Sequence, residues 1–141
     1  MSRIFWDSMI AVYLLEDHPQ FAPQVMQILE RSLKRNDLLF TSYLTLGEIS
    51  AGTAKSPQPE KTQQVRAVLE EIGFSYLPFG SGAVEPFSRL RAKEKLNVAD
   101  CIHLACAASA GIDLFLTGDK QLLRLDIPGI QFIADFNTPI L

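Results

Sequence analysis

Short apolar runs rich in β-branched and aromatic residues alternate along the whole chain with longer stretches of helical periodicity, and this alternation constrains the fold more than any other feature. The runs are RIFW, LLFTS, FSYLPF, LFLT and IQFI. Between them the spacing predicts helices from residue 8 to about 15, over about 19–35, around TLGEISAGT, over 61–72 up to Gly73, over 84–95 and over 97–110, with a short helical turn after LFLT. Strand alternating with helix places the chain in the α/β class: a mostly parallel central sheet flanked by helices on both faces, an α/β/α sandwich. The 141 residues suffice for a single domain spanning 1–141 with one sizeable core. The only break in composition, KSPQPE at 55–60, is too short for a domain linker and reads as a helix–helix connection.

Composition narrows the function classes only a little. No apolar run reaches the ~20 residues that span a bilayer, and MSRIFWDS lacks the basic and apolar regions of a signal peptide, so a cytoplasmic protein without membrane association is expected. Cys101 and Cys106 lie on one predicted helix and point away from each other, which makes both reduced core residues. A formal net charge of −3 and a pI of 5.3 argue mildly against nucleic-acid binding. Setting aside four carboxylates committed to a divalent ion turns that −3 into +1, so the bulk charge decides nothing.

Four carboxylates stand beside apolar elements where water is not ordinarily expected. Asp7 directly follows RIFW and Asp119 follows LFLT, and each would serve equally as a helix cap. Glu48 falls on the helical face of Leu44 and Ala51 by i, i+4, i+7 spacing, with a helix-edge residue reaching water or pairing with a Lys or Arg as the alternative. Asp100 sits three residues after Asn97, the third position of a capping-box variant, where the helix dipole also favours an acid. His103, one turn further, is either a core histidine donating to a backbone carbonyl or a companion of Asp100 on a metal.

In an open parallel sheet, ligands bind at the carboxyl ends of the strands, where Asp7 and Asp119 are expected. Carboxylate oxygens suit Mg²⁺ or Mn²⁺, and no Cys or His cluster has zinc spacing. Such a cluster would repel itself without an ion; with one or two it could activate water and stabilise charge on a phosphoryl oxygen. Competing chemistries lack their motifs. GSGAVE is a fragment of a dinucleotide fingerprint without its third glycine, and neither GxxxxGK[ST] nor GxSxG occurs. LTGDK suggests a phosphoacceptor receiver domain, but the opening strand ends in one acid where receivers use an adjacent pair.

Taken in order, FWDSM, TLGEI, NVADCIHLACA and FLTGDKQL resemble the PIN-domain ribonucleases, in particular the VapC-type toxins of prokaryotic toxin–antitoxin modules. The resemblance covers nearly the whole chain and implies a PIN-like fold. It places the family's four acids on Asp7, Glu48, Asp100 and Asp119, and its acid- or water-orienting hydroxyl on Thr117. Ser8 stands where Thr is common and keeps the hydroxyl, as a candidate substrate contact.

The resemblance further implies a Mg²⁺- or Mn²⁺-dependent endoribonuclease acting on structured RNA such as tRNA or ribosomal RNA, by in-line attack of an activated water that leaves 5′-phosphate and 3′-hydroxyl ends. It implies a homodimer and a cognate antitoxin whose C-terminal segment blocks the site. Arg89, Arg91, Lys93 and Lys95, just before the Asp100 helix, could contact phosphates, or could form a solvated face balanced by Glu94. The competing expectations are a non-catalytic PIN-like scaffold for RNA or protein and a receiver-type signalling domain.

Overall fold

The structure is a computed structural model and describes residues 1–52 and 59–138. Its element order is β1 (Arg3–Trp6), α1 (Ser8–Leu15), α2 (Ala22–Lys34), β2 (Leu38–Ser42), α3 (Tyr43–Ala51), α4 (Pro59–Ile72), β3 (Phe74–Leu77), α5 (Ser81–Lys93), α6 (Val98–Ala110), β4 (Ile112–Leu116), a 3₁₀ turn (Lys120–Arg124) and β5 (Ile130–Ala134). All five strands pair in parallel in the order β3-β2-β1-β4-β5. The α/β class read from the alternating pattern is the class observed. Among the described residues no helix is long and apolar enough to cross a membrane.

The central strand β1 is buried on both faces, and alternation sends its side chains into two cores. Ile4 and Trp6 join Ile10 of α1, Val25, Ile28 and Leu29 of α2, and Leu69 of α4. Phe5 points the other way, to Leu90 of α5 and Cys101, Leu104 and Ala107 of α6. Trp6 meets Phe74 edge-on at 5.2 Å, and Phe5 stacks on Phe115 of β4 at 4.9 Å. Each such fully buried side chain contributes about 1.5–3 kcal/mol of hydrophobic stabilisation, which makes β1 the strand least free to shift register. Both cysteines are free and buried, as expected.

Helix boundaries moved where backbone chemistry overrules periodicity. The helix expected from residue 19 begins at Ala22, which puts Pro23 in the first turn, where its missing N–H and fixed φ cost nothing. His18 builds the entry instead, its Nδ1 accepting from the backbone N–H groups of Gln20 and Phe21, each at 3.2 Å. The helix expected over 84–95 runs Ser81–Lys93 and carries Pro86 internally. It stops early because Arg91 donates to the Leu96 carbonyl (2.7 Å) and Arg124 pairs with Glu94 (3.1 Å), holding the connection extended. Most of KSPQPE lies outside the described residues, with Pro59 and Glu60 opening α4.

Small residues let α6 lie close against its neighbours: Ala105, Cys106 and Ala107 are buried along with Leu104. After β4, the chain returns past this helix at Gly129, whose φ is +98° and where any Cβ would overlap the Ala108 carbonyl. The helix therefore enters beside the carboxyl end of the sheet with Asn97 as its cap, its side chain accepting from the Asp100 N–H at 2.7 Å.

Candidate active site

The chain leaves β1 for β2 on one side, while β4 lies on the other, so the sheet reverses its winding around β1. A crevice forms at such a switch point, outside the strand ends. Asp7 is the residue that follows β1, and its backbone N–H donates to the Leu116 carbonyl at the end of β4 (2.9 Å). Thr117 follows β4, 110 residues away in sequence, and donates its hydroxyl to Asp7 Oδ2 at 2.9 Å. The same Thr117 oxygen accepts the backbone N–H of Asp119 at 3.1 Å. One buried hydroxyl thus fixes both strand-end acids.

Each acid also performs the capping role its position suggested, and the two roles are compatible. Asp7 caps α1, Oδ1 accepting from the Ser8 N–H (2.8 Å), which leaves Ser8 as the first residue of that helix. Asp119 caps the 3₁₀ turn by accepting from the Gln121 N–H at 2.9 Å. Asp7 is deeply buried, whereas Asp100 and Asp119 are partly exposed at the rim.

Electrostatics ties the acids together. Burial pushes the Asp7 carboxyl above its ordinary pKa; the nearby His103 ring, the Thr117 hydroxyl and the Ser8 N–H pull it back without cancelling, and Glu48 repulsion adds to the rise. Asp100 is also raised, first by burial and then by the like charges of Asp7 and Asp119, with His103 opposing and Glu48 adding. Four carboxylates from four chain segments therefore act on one another at one edge of the sheet.

Glu48 reaches this group differently from the expected apolar stripe. The buried face of α3 is Thr45, Leu46, Ile49 and Ser50, while Ala51 is exposed and Glu48 keeps 40% of its side chain accessible. The phase was misread because two of the four buried residues are polar. Glu48 leaves the helix edge toward α6, where Oε1 meets His103 Nε2 at 2.8 Å. The partner is a histidine, not a lysine or arginine.

His103 is a core histidine, as one of the two sequence expectations has it, but its partners differ from both. It is buried, and its nitrogens contact side chains, Glu48 through Nε2 and Ser42 Oγ through Nδ1 at 2.8 Å, not a backbone carbonyl. With both nitrogens engaged, the ring has no lone pair free to join Asp100 on a metal. Ser42 was missed altogether; its signal was a hydroxyl immediately before a helix, the ordinary mark of an N-cap.

The basic run divides. Arg91 is committed to the Leu96 carbonyl and Arg89 pairs with Glu85, one turn away on α5. Arg89 and Lys93 line a cavity of about 340 Å³ between α5 and residues 125–128. Lys93 and Lys95 are exposed.

The donor chemistry fits a hard divalent cation: all four candidates are carboxylates, and their mutual repulsion is what a cation would relieve. Among the described residues no group of three or more His, Cys, Asp or Glu side chains is already gathered closely enough to hold a metal ion.

A family model of the PIN domain matches residues 4–128. Among solved structures, the fold is similar to VapBC2 from Rickettsia felis bound to a DNA fragment from its promoter, at 19% identity, covering 94% of this chain and 98% of that one with a TM-score of 0.74. DNA-bound VapBC from Salmonella typhimurium gives 22%, 96%, 99% and 0.69 on the same measures. A toxin–antitoxin complex from Klebsiella pneumoniae gives 23%, 90%, 94% and 0.68. A search of curated proteins finds no significant match. The structural likenesses establish a shared fold, and the family match runs from the first strand into the loop before the last: this chain belongs to the PIN domain family.

Proposed function

We propose that the protein is a metal-dependent endoribonuclease of the VapC kind, the toxin of a type II toxin–antitoxin pair, cutting structured RNA such as tRNA or ribosomal RNA with Mg²⁺ or Mn²⁺. The observation that carries this reading is that Thr117 ties Asp7 to Asp119 at the β1/β4 crevice, with Asp100 near enough to feel both charges, in a chain of the PIN family. A nuclease needs acids at that point; a scaffold for RNA or protein needs none. Family membership also sets aside the receiver domain weighed from LTGDK.

In this reading the four carboxylates hold the cation. A bound divalent ion supplies Lewis-acid charge for the phosphoryl oxygens and lowers the pKa of an attacking water. Thr117 keeps the Asp7 carboxylate in one orientation, and the Asn97 and Ser42 caps fix the helices that present Asp100 and Glu48. Ser8 and the exposed Lys93 and Lys95 are the candidates for contact with RNA phosphates. Arg89 and Arg91 would contribute only by exchanging their present partners.

Similarity to toxin–antitoxin complexes supports a cognate antitoxin as partner, and the family resemblance supports a homodimer. Sequencing RNA 5′ ends after brief induction of wild type against Asp7→Asn tests the proposal. New 5′ ends at few positions, absent from the variant and suppressed by EDTA in vitro, are expected; equal cleavage by both proteins would sink it. Tight RNA binding without cleavage would favour the scaffold.

A further inference from the structure

We infer that His103 is a positioning residue for Glu48, acting in a buried Ser42–His103–Glu48 chain that fixes the Glu48 carboxylate for its cation. The inference rests on the metal-dependent reading above, and it assigns a role to two side chains outside the four acids.

The proton inventory sets the direction of the chain. Ser42 caps α3, its Oγ accepting the Thr45 N–H at 3.2 Å, which leaves the hydroxyl one proton to donate. The nearest acceptor is His103 Nδ1 at 2.8 Å, with Thr45 Oγ1 more distant at 3.5 Å. In the neutral ring an Nδ1 that accepts requires the proton on Nε2, and Nε2 faces Glu48 Oε1 at 2.8 Å. The chain therefore runs from Ser42 O–H to Nδ1 and from Nε2–H to the carboxylate.

Burial makes the chain rigid. Ser42 is 1% exposed and His103 2%, and the ring lies against Phe5 with centroids 6.2 Å apart. Glu48 is the exposed end, on a helix edge with 40% of its side chain accessible. Among the described residues its carboxylate has one hydrogen-bond partner, His103, which engages Oε1 and leaves Oε2 for another ligand. A long acidic side chain loses substantial rotamer freedom when it is fixed. His103 takes up that ordering before any cation arrives, and hydrogen-bonded partners of this kind typically carry a 10–100-fold effect on metal affinity or activity.

The test uses the full chain. His103→Leu removes the donor, and His103→Gln keeps an amide N–H that can reach Glu48. Mn²⁺ affinity by electron paramagnetic resonance should fall about tenfold or more in H103L and be largely restored in H103Q, with both variants melting cooperatively. The ¹⁵N spectrum of the metal-free wild type should place the proton on Nε2, and Glu48→Gln should shift that Nε2–H signal. A proton on Nδ1, or wild-type Mn²⁺ affinity in H103L, overturns the inference; should H103L fail to fold, the wild-type and E48Q spectra decide it. Loss of cleavage in Asp7→Asn alongside normal Mn²⁺ binding in H103L would reject the positioning role and leave the nuclease reading standing. Equal cleavage by wild type and Asp7→Asn would reject the nuclease reading, and the spectra would still decide the His103–Glu48 contact. A wild type that binds no Mn²⁺ overturns both.

Discussion

Thr117 donates its buried hydroxyl to Asp7 Oδ2 at 2.9 Å and so joins the ends of two neighbouring parallel strands. Its oxygen accepts the Asp119 N–H as well, so one side chain orders two of the four acids. Thr117→Val keeps the shape and removes both bonds. It should cost about 1–3 kcal/mol, the range for leaving a buried partner unsatisfied. RNA cleavage should fall with it, while Thr117→Ser should recover most of both; denaturant unfolding and single-turnover cleavage check the pair.

Asp7 should make the metal-free protein less stable as pH rises. Its folded-state pKa lies above the unfolded value, so the fold binds the proton more tightly. That contribution is fully present below the ordinary carboxylate pKa and is lost as pH rises through the raised one. Asp7→Asn should therefore stabilise the apo protein near neutral pH by about 1 kcal/mol, a gain of a few degrees in Tm, with the advantage shrinking toward acid. Thermal melts of both proteins in EDTA across pH 4–8 measure it, and a constant difference would contradict it.

Mg²⁺ or Mn²⁺ should raise the melting temperature, because an ion that relieves the repulsion on Asp100 binds the folded state preferentially. At one hundred times the Kd the gain is about 2.7 kcal/mol. Asp100→Asn should shrink the shift, and a chelator should reverse it. Indifference of the wild-type melt to both would argue that the acids serve only as caps.

Gly129→Ala should be among the most damaging conservative changes in the chain. The position has φ +98°, and a Cβ there would meet the Ala108 carbonyl, a backbone atom that cannot rotate away. Strain and overlap together should cost about 3 kcal/mol or more. Chemical denaturation is the direct measurement, and a cost under about 1 kcal/mol would show that the turn and α6 can separate.

Cys106 should resist alkylation in the native state. Burial pushes its thiol up to about 11, so at pH 8 the reactive thiolate is on the order of 100-fold scarcer than in an exposed cysteine. Labelling that appears only with unfolding is expected, and rapid native labelling would mean that α6 opens locally.

Local chemistry made much of the molecule readable in advance. The RIFW and LFLT strands, the Asn97 cap and the strand-end places of Asp7 and Asp119 follow from side-chain period and from which residues satisfy a helix terminus. Those forces act within a few residues, so the sequence states them directly. Where local rules conflict, periodicity was the weaker guide. α2 starts at Ala22 with Pro23 in its first turn, and the buried Thr45 and Ser50 disguised the inner face of α3 and with it the direction of Glu48.

The partners of the long-range side chains were not readable. His103 meets Ser42 across 61 residues and Glu48 across 55, and Arg91 turns to the Leu96 carbonyl instead of standing free for phosphate. Which groups meet depends on strand order, register and the way α6 packs against β2 and α3, and none of these is written in a local pattern. The sequence by itself determined the class of fold and the acids at the strand ends, because backbone periodicity and capping are local. Only the tertiary structure decided that a buried histidine would hold Glu48 rather than take a place beside Asp100, because a buried polar group takes whichever partner the packing of distant elements brings within hydrogen-bonding distance.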